Sequence, residues 1–70
     1  MKISARNTLK GTVKAVKEGV INNEITIQLA GGDEITSIIT KTSSDTLGLK
    51  AGKPVIAVIK ASNVMVAVED

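Results

Sequence analysis

Two runs near the C-terminal end, Val55-Ile56-Ala57-Val58-Ile59 and Val64-Met65-Val66-Ala67-Val68, contain no polar residue. Both read as strands. A strand that is apolar on both faces needs cover on both. One small barrel has only one inside, so the second face of these strands is expected to meet another subunit. Left wet, such patches favour aggregation. Length sharpens the point, because a chain of 70 residues buries only roughly 60% of its unfolded surface. Small domains compensate with disulfides, metals or oligomerisation. This chain has no Cys and no His, which removes disulfides and the usual zinc ligands. Oligomerisation remains.

The rest of the chain alternates. Leu9, Gly11, Val13 and Ala15 fall on one face, with Thr8, Lys10, Thr12 and Lys14 on the other, the pattern of a half-buried strand. Gly11 inside it predicts a sharp bend or a close backbone approach. Val16 breaks the alternation, and Lys17-Glu18-Gly19 reads as a turn. Ile25, Ile27 and Leu29 point inward in a second strand, after Asn22-Asn23 at a bulge or turn end. Gly31-Gly32 reads as a tight hairpin of the primed type, whose turns need positive φ. A third strand runs from about Glu34 to Lys41. Ser43 or Ser44 suits a helix N-cap, Asp45 its first turn and Gly48 its stop. Lys50 to Lys53 reads as loop, and Pro54 can open a strand. The fold class expected is all-β: a five-stranded OB-type Greek-key barrel, with one short helix between the third and fourth strands, as a single domain over residues 1–70. An SH3-like barrel is the competitor; strand order and helix placement favour the OB type.

Several function classes lose support. No His or Cys is available as general base or thiol nucleophile, so an enzyme is not expected. Phe, Tyr and Trp are absent, and a nucleic-acid-binding OB module would lack its stacking platforms. The net charge is +2, which argues little for a polyanion partner. No run is long enough to cross a bilayer, and no signal peptide is visible. The missing cysteines are compatible with a cytoplasmic location.

Ser4, Arg6, Asn7, Thr8 and Lys10 supply hydroxyls, a guanidinium, an amide and an ammonium, with a run of backbone N–H groups through Ala5 and no carboxylate. Lys60-Ala61-Ser62-Asn63 repeats that chemistry. Such segments donate to anions. Burying a dianion requires charge neutralisation and a hydrogen bond for every oxygen. Thr40 and Ser43 are further donors, Ser43 beside the expected helix N-terminus. A shell of donors alone suits molybdate, tungstate or sulfate better than hydrogen phosphate, whose proton wants an acceptor.

Ser4-Ala5-Arg6-Asn7-x-Leu9-x-Gly11, Ile35-Thr36-Ser37-Ile38-Ile39, Leu47-Gly48-Leu49 and Lys60-Ala61-Ser62-x-Val64-Met65 together resemble the molbindin family of small molybdate-binding proteins. The likeness covers essentially the whole chain. It implies molybdate, and tungstate, as the bound ligand with no organic cofactor, in the service of molybdenum storage and homeostasis in the cytoplasm. It implies a homohexamer, a trimer of dimers, with oxyanions between subunits and with neither nucleic acid nor membrane as partner. By motif match the oxyanion-binding residues are Ser4, Ala5, Arg6, Lys60 and Ala61, with Thr40 and Ser43 matched by position; no residue is a direct metal ligand. A second site near the symmetry axis is assigned to Gly19, Val20 and Asn22. Arg6 and Lys60 of one pocket are expected to come from different chains. A nucleic-acid-binding OB module and a purely structural assembly unit with incidental pockets are the alternatives.

Overall fold

The computed structural model describes residues 1–70. Four strands, β1 (Asn7–Glu18), β2 (Asn22–Leu29), β3 (Glu34–Thr40) and β4 (Pro54–Ile59), form one curled antiparallel sheet in the order β3-β2-β1-β4. One helix, α1 (Lys41–Leu47), lies between β3 and β4 in sequence, and a single 3-10 turn spans Ala61–Asn63.

The long β1 strand pairs with β2 on one side and β4 on the other. Its alternation is reset by a bulge between Val13 and Ala15. The extra residue lets Val13 and Val16 both face the core, and it turns Ala15 outward, against the expectation of an inward Ala15. Lys17 and Glu18 belong to the strand and not to a turn. Gly11 is a close approach: a Cβ there would lie 2.7 Å from the Gln28 carbonyl oxygen and 2.7 Å from Ile27 Cγ2. The inward pattern of Ile25, Ile27 and Leu29 holds, and Asn22-Asn23 opens β2 directly, with Asn23 buried.

The β2–β3 hairpin is looser than the two-residue turn expected. Leu29 N–H donates to Asp33 O and Gly32 N–H to Leu29 O. Only Gly32 takes a positive φ, 96°. A turn followed by one left-handed residue is the three-residue hairpin connection, so one glycine of the pair does the conformational work. Helix α1 starts one turn earlier than expected. Thr40, not Ser43 or Ser44, is its N-cap. At its other end Gly48 N–H donates to Asp45 O and Leu49 N–H to Ser44 O, the paired closure of a Schellman motif.

Val13, Ile25, Ile27 and Ala57 are the buried core, extended by Val16, Ile35, Ile39, Leu49 and Val55. The fifth strand is not formed. Val64–Val68 lies outside the sheet, with Met65, Val66 and Val68 86–93% exposed. The gap it leaves is an apolar groove of about 400 Å³, walled by Ile35 and Ile39 of β3 and Val55 and Val58 of β4, with Ile25 and Ile27 as floor.

Candidate functional site

The pairing of β1 with β4 sets the site. Asn7 sits opposite Ile59, and its Nδ2 donates to the Ile59 carbonyl oxygen at 3.2 Å. The residues just before β1 and just after β4 therefore leave the sheet at the same end. They enclose a cleft of about 600 Å³. Ser4, Ala5 and Arg6 form one wall and Lys60, Ala61, Ser62 and Asn63 the other, with Ile3 and Val58 beside them. The 3-10 turn holds the second wall through Asn63 N–H to Lys60 O and Val64 N–H to Ala61 O, at 2.9 and 3.2 Å.

Five of the seven residues expected at the main site are thus neighbours on one chain. The expectation that Arg6 and Lys60 come from different chains does not describe this cleft. Antiparallel pairing of β1 with β4 brings both to it without a partner. Ser62 and Asn63 belong to the cleft as well and were not assigned from sequence, although they continue the same donor-rich segment. The cleft lining has no carboxylate. The two ion pairs of the chain, Lys14–Glu34 and Lys41–Glu18, involve other residues. Two cations lining one cleft without an acid have the chemistry to neutralise a doubly charged anion.

Thr40 and Ser43 lie elsewhere. Thr40 pairs with Asn22, at the β2 end next to the close of β1. The 12 residues of β1, at about 3.3 Å each, put that end on the order of 35 Å from the Arg6 end. Locally the two hydroxyls are organised. Ser43 N–H donates to Thr40 Oγ1 at 3.0 Å, and the Thr40 hydroxyl donates to Ser43 Oγ at 2.8 Å. That arrangement consumes the Ser43 backbone donor and leaves the Ser43 hydroxyl proton free to donate outward. The anion-binding helix start expected at Ser43 and Ser44 is absent: the N–H is capped and Ser44 is buried.

The residues assigned to a second site surround the β1–β2 turn. Gly19 and Asn22 border a depression of about 330 Å³, together with Lys17, Glu18, Asn23 and Glu24. Gly19 N–H donates to Asn23 Oδ1 at 3.4 Å, so that donor is turned inward. Val20 does not border the depression and is 95% exposed at the hairpin tip. Glu18 and Glu24 at the rim oppose an anion there.

Comparison with known proteins gives the family. The TOBE domain profile matches residues 3–66. Molybdenum-pterin-binding protein 3 of Clostridium pasteurianum is 52% identical over 66 residues, covering 94% of this chain and 97% of that protein. The solved structure of MopII from Clostridium pasteurianum superposes with a TM-score of 0.90 at 46% identity, covering 96% of this chain and 100% of the other. A molybdate-bound structure of ModG, described as a cytoplasmic molybdate-binding protein, superposes with a TM-score of 0.84 at 56% identity, covering 87% of this chain and 43% of ModG. On these likenesses, which run nearly end to end, the chain belongs to the TOBE-domain family and stands beside its small molybdenum-binding members.

Proposed function

We propose that this protein binds molybdate, and tungstate by the same chemistry, as a cytoplasmic store that buffers the free oxyanion. It is a binding protein and not an enzyme. The observation that carries the reading is the carboxylate-free cleft that Arg6 and Lys60 both line. Two positive charges neutralise the dianion, and Ser4, the backbone at Ala5 and Ala61, and Ser62 can complete its hydrogen bonds. With no acid in the lining, a protonated oxyanion meets no charged acceptor, which selects against hydrogen phosphate.

The cleft of one chain is open, and a second chain completes it. Thr40 and Ser43 sit too far from Arg6 to serve the same cleft, so the free Ser43 hydroxyl proton, held in place by Thr40, would reach an oxyanion in the cleft of a neighbouring subunit. The exposed arm, Val64–Val68, provides the means of association. Antiparallel to β4 and between β4 and β3, an extended segment would close the open sheet into a five-stranded OB-type barrel. Val64, Val66 and Val68 share one face of an extended arm and fit the apolar groove of a partner. Each side chain so buried contributes about 1.5–3 kcal/mol. Exchange of two arms gives a dimer, and three dimers give the hexamer.

Calorimetric titration of the purified protein with sodium molybdate, and separately with sodium sulfate, tests the reading. Molybdate is expected to bind far more tightly than sulfate. Equal weak binding of both would refute it.

A further inference from the structure

The cleft and the apolar groove share structure. Val58 borders both. Lys60, Ala61, Ser62 and Asn63 form one wall of the cleft, and the arm begins at the next residue, Val64. The short segment that would contact the anion is therefore the hinge from which the arm departs. That hinge is weakly held. It is a single 3-10 turn with no side-chain cap and no buried residue, closed by two backbone hydrogen bonds. Both walls start from one anchor, because Arg6 adjoins Asn7 and Lys60 adjoins Ile59, and these two are paired in the sheet and bonded through the Asn7 side chain.

We infer that an oxyanion in the cleft clamps this hinge to the sheet and so tightens the docking of the arm on its partner subunit. This rests on the cleft reading above. An anion bonded to Arg6 on one side and to Lys60 and its neighbours on the other ties the lightly held turn to the segment that leads into β1. The direction in which Val64 leaves is then restricted before the arm docks, and docking loses less conformational freedom. Coupling of this kind is reciprocal: whatever the anion adds to arm docking, arm docking adds to anion affinity. A docked arm holds the cleft wall in place when the anion is absent, and a bound anion slows the opening of the assembly.

Subunit exchange measures the effect directly. Assemblies of ordinary and isotopically heavy protein are mixed, and the appearance of mixed species is followed by native mass spectrometry. One sample contains sodium molybdate and the other sodium chloride at the same ionic strength; calorimetry on the same preparation records whether molybdate binds. Exchange is expected to slow by between about 5- and 150-fold with molybdate, and backbone amides of residues 61–68 to exchange hydrogen more slowly by a comparable factor. If calorimetry shows molybdate bound while the exchange rate is unchanged, the linkage is wrong and the cleft reading survives. If calorimetry shows no binding, the cleft reading itself falls. A chain that stays monomeric overturns the docking arm and the linkage with it.

Discussion

Arg6 and Lys60 face a cleft without an acid to answer them, and this makes their individual contributions measurable. Arg6→Ala and Lys60→Ala should each weaken molybdate binding by about one to two decades, since a charged hydrogen bond contributes about 1.5–3 kcal/mol. Titration calorimetry reads this directly. Lys14 serves as control, because its ammonium pairs with Glu34 across the sheet on a solvated face. Lys14→Ala should leave affinity unchanged and cost less than about 1 kcal/mol of stability. Gly11 is the residue where the backbone tolerates nothing larger. Gly11→Ala drives a methyl against the Gln28 carbonyl oxygen and the buried Ile27, at a cost of about 1–3 kcal/mol. A thermal melt that shows no fall in the midpoint would mean that β1 can shift to make room.

Elements were legible in the sequence wherever one period governed a run. Ile25, Ile27 and Leu29 announced β2 and its inward face, Pro54 announced the start of β4, and Gly48 the end of α1. The bulge at Val13–Ala15 was visible only as a broken alternation at Val16, since pattern alone does not say where an extra residue is absorbed. Thr40 was passed over as N-cap because it ends an apolar strand, and the two serines behind it match the same preference. The apolar run Val64–Val68, read as a strand in need of cover, lies exposed outside the four-stranded sheet of the single chain. Hydropathy reports that a face must be buried and is silent about which chain buries it. Val66→Lys tests the arm at this scale. It should leave the four-stranded sheet intact by circular dichroism while light scattering shows the assembly broken. An unchanged assembly mass would remove the arm from the interface. The same lysine in a sheet core would unfold the chain, so the two readouts separate the alternatives.

At the scale of the whole molecule the site becomes a matter of topology. Arg6 and Lys60 are far apart in the chain, and nothing in their local sequences says that they share a cleft; the hydrogen bond from Asn7 to Ile59 spans 52 positions. The donor chemistry was readable and the pairing of its two halves was not, because it is the sheet order that brings both to one end of a single chain. Thr40 and Ser43 at the far end of β1 give the assembly a test. Arg6→Ala and Ser43→Ala chains, unfolded together and refolded, should regain tight molybdate sites in a fraction of pockets, because an intact cleft of one chain can meet an intact Ser43 of the other. A mixture of Arg6→Ala with Lys60→Ala should regain none, as every cleft then lacks one cation. Recovery in the second mixture and not the first would return Arg6 and Lys60 to separate chains.

The sheet order also sets a timetable. β1, β2 and β3 form a meander of neighbours in sequence, whereas β4 must find β1 across the whole intervening chain. Loop closure makes such distant pairings slow. The cleft exists only once β4 has fully paired with β1, and we expect that pairing to be completed after the rate-limiting step, whose ensemble then has no oxyanion receptor. Molybdate should therefore leave the refolding limb of a chevron plot where it is and lower the unfolding limb alone. The ligand would act as a latch on a finished molecule and never as a template for its making.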